Sequence, residues 1–240
     1  MWKCAHIDSF VLKEGQNNYS LYNNRTPGAD DILDQEEPDL VLFIQKNKSL
    51  LHLLLQESGI ERYRVSIPNL EREYLDPMRK SGDLDLIVAG PNIPPDLAIF
   101  EFKRIKLKAL DDLSDKINKM GDLYKLVAQA KERMALGFRM NMAVTLIHSD
   151  LGSRNSPNTN MRGYALSSQN TIWEQIKAII PKLPSEVGVI LARFDYPTTE
   201  SHRFNFCVNL LRSPSPVKQS PQLTDRFIDL MNSRLAGNFA

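Results

Sequence analysis

The feature that most constrains the fold of this chain is a pair of apolar segments with charged side chains at alternate positions. Segments 83–88 and 97–103 are rich in Leu, Ile, Val and Phe, and the turn between them contains three prolines. Short segments of this composition, bounded by glycine and proline, are typical of β-strands. We therefore predict two neighbouring strands joined as a hairpin.

Each predicted strand carries two charged side chains on one of its faces. Successive side chains of a strand point to opposite faces, so Asp83 and Asp85 share one face, and Glu101 and Lys103 share a face of the next strand. If the strands pair in register, three carboxylates and one ammonium converge. Carboxylates this close repel one another, and a divalent cation such as Mg²⁺ removes the repulsion. A bound ion polarises a phosphoryl oxygen and a nearby lysine orients a water, so the pattern favours phosphodiester hydrolysis.

The same residues carry a resemblance to a known family. Gly-Asp-Leu-Asp-Leu-Ile at residues 82–87, followed by Ile-Phe-Glu-Phe-Lys at residues 99–103, resembles the core motif of the PD-(D/E)XK nuclease superfamily. The helix that holds Tyr124 and Gln129 is also similar to the helix that follows this motif. The resemblance covers residues 60–148 and implies a restriction-endonuclease-like core, although no proline precedes the motif aspartate.

The resemblance implies a role for each motif residue. Asp85 and Glu101 would hold Mg²⁺, with Mn²⁺ as a substitute, the backbone carbonyl of Phe102 would be a further ligand, and Lys103 would serve the nucleophilic water. The side chains expected to support these ligands without touching the ion are Asp83 and Gln129. An acid of the first helix, Glu36 or Glu37, is a further candidate for reaching the ion.

Two other interpretations of the hairpin stay open. The charged face of an edge hairpin can simply be solvated, with Glu101 and Lys103 paired to neighbouring side chains. A nuclease-like domain can also be catalytically inactive and serve nucleic-acid binding or assembly. Binding of Mg²⁺ distinguishes the nuclease from both alternatives, because neither alternative needs a metal.

Nucleic-acid contacts are expected from local basic residues, because the formal net charge of the 240 residues is only +1. Arg104, Lys106 and Lys108 follow the second strand, and Arg154 and Arg162 lie in a segment rich in Ser, Asn and Gly. Either group contacts phosphates or is an ordinary solvated surface. DNA is preferred to RNA as the expected substrate, and a two-fold homodimer would suit double-strand cleavage.

Hydrophobic periodicity predicts an α/β fold, with a mixed β-sheet flanked by helices. We predict a loop-rich N-terminal arm at 1–38, a nuclease-like α/β domain at 39–212, and a Ser/Pro linker with a C-terminal helix at 213–240. The first helix is expected between Pro38 and Gly59. Further helices are expected at 113–136, 171–180 and 224–235, and further strands at 63–67, 141–148, 187–194 and 204–211.

The expected setting is the cytoplasm. The two cysteines, Cys4 and Cys207, are far apart in sequence and have no metal-ligand spacing, which favours a reducing compartment. The apolar segments are too short or too interrupted by proline to cross a bilayer, so no membrane partner is expected.

Overall fold

The described residues form an α/β fold, with eight strands in one open mixed sheet and helices against both faces. The computed structural model describes residues 2–7, 36–78, 80–109, 115–149, 166–195 and 204–237. The strands are β1 (Lys3–Ile7), β2 (Val65–Glu71), β3 (Asp83–Ala89), β4 (Leu97–Ala109), β5 (Asp115–Asn118), β6 (Met140–Ser149), β7 (Gly188–Asp195) and β8 (Phe204–Arg212). The helices are α1 (Glu37–Lys46), α2 (Lys48–Glu57), α3 (Leu123–Leu136), α4 (Leu166–Ile179) and α5 (Pro221–Gly237).

The strand order across the sheet is β1-β8-β7-β6-β4-β3-β2, and β5 pairs with the far end of β4. Strands β2, β3 and β4 form an antiparallel meander. Helix α3 then connects β4 to the parallel strand β6, and α4 connects β6 to the parallel strand β7. Antiparallel strands β8 and β1 complete the sheet.

The helices cover the sheet on both faces, which explains why its central strands are apolar almost throughout. Helices α1 and α2 pack on one face, against residues such as Phe100 and Phe102 of β4. Helices α3 and α4 pack on the other face, over Ile105 and Ala143. Helix α5 packs beside the end of α3, where Phe227 joins a third apolar cluster.

The first predicted helix is in fact two helices, α1 and α2. Asn47 separates them in an extended conformation, and its side-chain oxygen accepts a hydrogen bond from the backbone N–H of Leu50. Asparagine is a preferred residue at a helix start because it satisfies one of the free N–H groups there. Both helices bury apolar residues against the sheet. The apolar pattern therefore continues on both sides of Asn47, and it predicted one helix where there are two.

The helix predicted at 113–136 begins ten residues later, at Leu123. Residues Asp115–Asn118 instead form β5 against the end of β4. Lys119 then adopts a left-handed backbone conformation, with φ at 63°, which no α-helix continues through. The pairing of β5 with a distant strand therefore overrides the local helical pattern.

A strand occurs in the N-terminal segment that was predicted to be rich in loops. Residues Lys3–Ile7 form β1, the edge strand beside β8, and Cys4 is paired directly with Cys207. The two cysteines form a disulfide bond, which the expectation of reduced cysteines did not include. The bond links residues that are 203 positions apart in sequence, so their spacing gave no sign of it.

The Ser/Pro segment after β8 is bonded to the body of the domain. The backbone N–H of Val217 donates to the carbonyl of Arg139, and the Gln219 side chain bonds both Leu97 and Pro95. These contacts place α5 beside α3. None of the helices in the described ranges combines the length and apolar character that crossing a membrane requires.

Candidate active site

Strands β3 and β4 separate at the predicted acidic residues. Their pairing runs from Ala89 and Leu97 to Leu86 and Phe100, where it ends. Continuing the register would place Asp85 opposite Glu101, and two carboxylates directly opposite each other destabilise a strand pair. Beyond this point β3 remains paired with β2, so the sheet opens on the β3 side of β4.

Two carboxylates replace the missing strand at this opening. The backbone N–H of Phe102 donates to Oδ2 of Asp85 at 2.6 Å, and the backbone N–H of Arg104 donates to Oε2 of Glu37 at 2.8 Å. Buried backbone donors need acceptors, and here acidic side chains supply them. The first turn of α1 therefore lies at the opening and adds a third acid, Glu37, to the cluster.

Lys103 is held within this acidic cluster. Its Nζ atom donates to Oε1 of Glu37 at 2.8 Å and to the backbone carbonyl of Phe102 at 2.6 Å, and the residue is 8% exposed. Burial by itself would lower the pKa of Lys103. The negative charges of Glu37 and Asp85 outweigh that effect and raise the pKa above its ordinary value. Lys103 is therefore a protonated donor in this arrangement.

Glu101 is buried and bound to an arginine. Nε of Arg133 lies 2.9 Å from Oε2 of Glu101, and Nη2 of Arg133 lies 3.4 Å from Oε1. The same Nη2 donates to the backbone carbonyl of Asp83 at 2.8 Å, so Arg133 links β3 to β4 across the opening. Burial raises the pKa of Glu101, although Arg133 opposes the rise.

Asp85 carries the least compensated charge of the cluster. Burial, and then the negative charge of Glu101, raise the pKa of Asp85 well above its ordinary value. Within the described ranges, no lysine or arginine nitrogen lies within 4.0 Å of the Asp85 carboxylate. Lys103 is bound to Glu37 and Arg133 to Glu101, so a further cation beside Asp85 would relieve a real electrostatic cost.

The oxygen atoms around the opening suit a hard divalent cation such as Mg²⁺. Carboxylate oxygens of Asp85 and Glu101 and the carbonyl of Phe102 are the donor types that Mg²⁺ prefers. The carbonyl of Phe102 already accepts from a cationic group, the Lys103 ammonium. In the described part of the chain, no three acidic, histidine or cysteine side chains are arranged as metal ligands. Arg133 and Lys103 bind the Glu101 and Glu37 oxygens that such an arrangement would use.

Two buried polar atoms lie in the elements around Lys103. Thr145 of β6 pairs with Lys103 in the sheet register, so the two side chains share a face. Gln129 lies one helical turn before Arg133 on α3. Oγ1 of Thr145 and Oε1 of Gln129 are buried without a hydrogen-bond partner. Both atoms are acceptors, so they suit a water or a protonated group near the cluster.

No protein-family model, curated protein or solved structure matches this chain. The chemistry of the site therefore follows from its own residues. Of the predicted motif residues, the structure brings Asp85, Glu101, Lys103 and the Phe102 carbonyl together around one opening. Asp83 differs from them, because its side chain is exposed and only its backbone carbonyl takes part.

Arg104 is buried, which does not fit the predicted contact with phosphates. Arg104 is 1% exposed, and its guanidinium donates to Glu36 at 3.0 Å, so it lies inside the protein. Lys106 is half-buried, and the backbone of Lys108 pairs with Lys116 of β5. Arg104 and Lys106 alternate with Lys103 along β4, so they belong to the opposite face of the sheet. Arg154 and Arg162 lie outside the described residues.

The sequence interpretation missed Arg133, although a signal was present. The buried face of α3 includes Leu123, Leu126 and Ala130, and Arg133 continues that face one turn later. A charged residue in phase with a buried stripe is a candidate for a buried ion pair. Its partner, Glu101, could not be named because it lies 32 residues away.

We expect Asp85→Asn to stabilise the protein in the absence of divalent metal. The raised pKa means that the stability contributed by Asp85 falls as pH rises from about 4, its ordinary value, through the folded-state pKa. Asparagine cannot ionise, and its oxygen can still accept from Phe102. The variant should gain on the order of 1 kcal/mol at neutral pH and lose part of the pH dependence. Urea unfolding at several pH values measures both, and an unchanged pH profile would contradict the assignment.

We expect Lys106→Gln and Lys108→Gln to weaken nucleic-acid binding equally for all sequences if these lysines contact phosphates. Each lost phosphate contact should reduce the steepness of the slope of log affinity against log salt concentration by roughly one unit. Lys125→Gln is the matched control, because its side chain is 70% exposed and α3 packs on the face of the sheet opposite to Lys106. An unchanged slope would assign Lys106 and Lys108 to a solvated surface.

Proposed function

We propose that this chain is a metal-dependent nuclease that hydrolyses phosphodiester bonds, with DNA as the expected substrate. The observation that carries the proposal is the gathering of Asp85, Glu101, Glu37 and Lys103 where β3 and β4 separate. The order of elements supports a restriction-endonuclease-like core, because a helix, an antiparallel meander, a helix and a parallel strand follow one another. The buried acids also have a stability cost that function would explain.

In this proposal Asp85, Glu101 and the carbonyl of Phe102 hold Mg²⁺. When bound, the ion would polarise the phosphoryl oxygen and lower the pKa of a water. Asp85 and Glu101 supply the negative charge that attracts the ion, and Glu101 is 1% exposed. Glu101 must share its oxygens with Arg133, which keeps the carboxylate oriented from the α3 side.

Lys103 is proposed to orient the attacking water and to stabilise negative charge on the phosphate. Its raised pKa favours the ammonium, so in this arrangement it acts as a hydrogen-bond donor and not as a base. Glu37 holds the ammonium at 2.8 Å, beside the carbonyl of Phe102. Glu37 also fixes β4 through the N–H of Arg104, so it sets the position of Lys103 from two directions.

A catalytically inactive nucleic-acid-binding module is the second candidate, and one observation favours it. Arg133 contacts both oxygens of Glu101, and an ion-paired carboxylate of this kind can be purely structural. The two candidates differ in their need for metal. An active site must take up a divalent ion in competition with Arg133, whereas a binding module has no such requirement.

Calorimetric titration with Mg²⁺ and Mn²⁺, together with a cleavage assay, tests the proposal. The substrates are plasmid DNA, linear duplex DNA, single-stranded DNA and single-stranded RNA, each with and without Mg²⁺. We expect metal binding that weakens as pH falls through the raised pKa of Asp85, because the proton and the ion compete for one carboxylate. Metal-dependent cleavage of at least one DNA substrate is expected. Nucleic-acid binding without metal uptake or cleavage would favour the second candidate instead.

A further inference from the structure

A second concave site lies beside α4, away from the opening between β3 and β4. It is a pocket of about 360 Å³ with two tryptophans, Trp2 and Trp173, in its lining. Two amide side chains, Asn170 and Asn209, and one guanidinium, Arg193, also line it. Nothing in the proposed nuclease chemistry uses these residues.

The sheet register explains how residues so distant in sequence come to share this pocket. Leu191 of β7 pairs with Asn209 of β8, and residues paired across strands share a face. Cys207 pairs with Cys4, and the disulfide between them holds β1 against β8. Trp2 stands two residues before Cys4, so the tether at Cys4 places the indole close to Asn209.

The chemistry of the lining selects a planar ligand that carries negative charge. The Arg193 guanidinium lies 6.0 Å from the centre of the Trp2 ring and supplies the positive charge of the lining. The Lys177 ammonium lies 5.5 Å from the centre of the Trp173 ring and is paired with Glu174 at 2.8 Å. The lining residues that the structure describes include no acid, so a cationic ligand finds no counter-charge there. Indole faces stack on flat heteroaromatic rings, and amides pair with the polar edges of such rings.

We propose that this pocket binds one nucleotide unit, either a free nucleotide or one residue of a single strand. The base stacks against the indole of Trp173, and the amides of Asn170 and Asn209 face its polar edge. The phosphate is attracted by Arg193. This proposal does not depend on the metal site, because none of the pocket residues belongs to the acidic cluster.

The position of the pocket also relates it to Lys103. Lys103 pairs with Thr145, and Thr145 pairs with Leu191, whose side chain lines the pocket. Lys103 and Leu191 therefore occupy the same face of the sheet, two strand spacings or about 10 Å apart. Helix α4 stands beside the pocket on this face, so a single strand bound there would lie next to the helical layer that covers Lys103.

Tryptophan fluorescence tests the proposal directly, because the chain contains only two tryptophans and both line this pocket. The full chain is titrated with nucleoside monophosphates in one arm and with a short oligothymidylate in the other. A chelator is present in both arms to prevent cleavage. We expect a saturable change in emission. Saturation by monophosphates identifies a free nucleotide as the ligand, and saturation by the oligonucleotide alone identifies a single strand.

Variants locate the binding in the pocket. We expect Trp173→Ala to weaken binding about 5-fold to 150-fold, the range that follows from base–aromatic stacking, while Trp2 still reports the titration. Trp173→Phe keeps an aromatic plane and should bind within a few-fold of the original chain. Tyr74→Ala is the matched control, because Tyr74 is 49% exposed and follows β2 at the opposite edge of the sheet.

Two results would overturn the proposal. One is an emission that neither ligand changes at millimolar concentration, and the other is equal affinity of Trp173→Ala and Trp173→Phe. The outcome is separate from that of the nuclease proposal, because Asp85→Asn should bind the ligand normally. If the pocket binds the nucleotide but the chain shows no metal-dependent cleavage, the nucleotide proposal is supported and the nuclease proposal is contradicted.

Discussion

Asp85→Asn is expected to abolish cleavage, with a single-turnover rate reduced by about 10³-fold or more at saturating Mg²⁺. Burial and the neighbouring charge of Glu101 raise the pKa of Asp85 well above its ordinary value, so its ionised form has much to gain from a bound cation. The substitution keeps the shape of the side chain and its hydrogen bond from Phe102. A folded variant without activity would therefore report the lost charge and not a lost structure.

Asp83→Asn is the matched control, because it makes the same chemical change two residues away on the same strand. The Asp83 side chain is exposed, and only its backbone carbonyl meets Arg133, so the rate should fall only about 10-fold. An inactive Asp83→Asn with an active Asp85→Asn would mean that the assignment of the two acids is reversed. Full activity of both variants would place the active site elsewhere in the chain.

Glu101→Gln is expected to abolish cleavage as well. Although burial raises the pKa of Glu101 as it does that of Asp85, this substitution should lower stability, because it removes the carboxylate that pairs with the buried Arg133 guanidinium. Arg133 is 4% exposed, and the substitution leaves its charge buried, with the exposed Glu132 carboxylate at 3.9 Å as its remaining acidic neighbour. Removing one partner of a buried ion pair typically costs about 3–5 kcal/mol. The cost here should lie at the low end of that range, because the glutamine oxygen can still accept a hydrogen bond from Arg133. Metal affinity should fall together with cleavage. Chemical denaturation without metal, followed by calorimetry with Mg²⁺, measures the two effects separately.

The double variant Glu101→Gln with Arg133→Met is the control for this loss of stability. Removing both charges should recover much of the lost free energy of unfolding, because no charge stays buried and unpaired. Cleavage should remain absent. Undiminished cleavage by Glu101→Gln would refute the metal-ligand role of Glu101, and equal stability of the single and double variants would contradict the buried pair.

The two acids therefore differ in what they contribute to the fold. Asp85 has no ion-pair partner among the described residues, and neutralising it should stabilise the metal-free chain. Glu101 has a bidentate arginine partner, and neutralising it should destabilise the chain. A buried acid that lowers stability is retained where function needs its charge, which is the usual conflict between stability and activity at active sites. Measuring both variants in the same denaturant series would reveal this difference.

Local pattern was enough to predict the central hairpin and its charged face. Alternation along residues 83–88 and 97–103 placed Asp85, Glu101 and Lys103 together, because side chains two apart on a strand share a face regardless of the rest of the fold. The strands β6, β7 and β8 and the closing helix α5 were also predicted close to their observed positions. Their hydrophobic periods are regular and their ends are marked by glycine or proline.

Tertiary contacts decided what the pattern could not. Arg133 binds Glu101 across 32 residues, Glu37 binds Lys103 across 66, and Cys4 meets Cys207 across 203. Side-chain periodicity reports which face a residue occupies, but it does not report which distant element covers that face. The burial of Arg104, the strand β5 and the opening between β3 and β4 follow from such pairings. The sequence therefore determined which residues form the acidic face, and the packing of α1 and α3 decided which charges on it are neutralised.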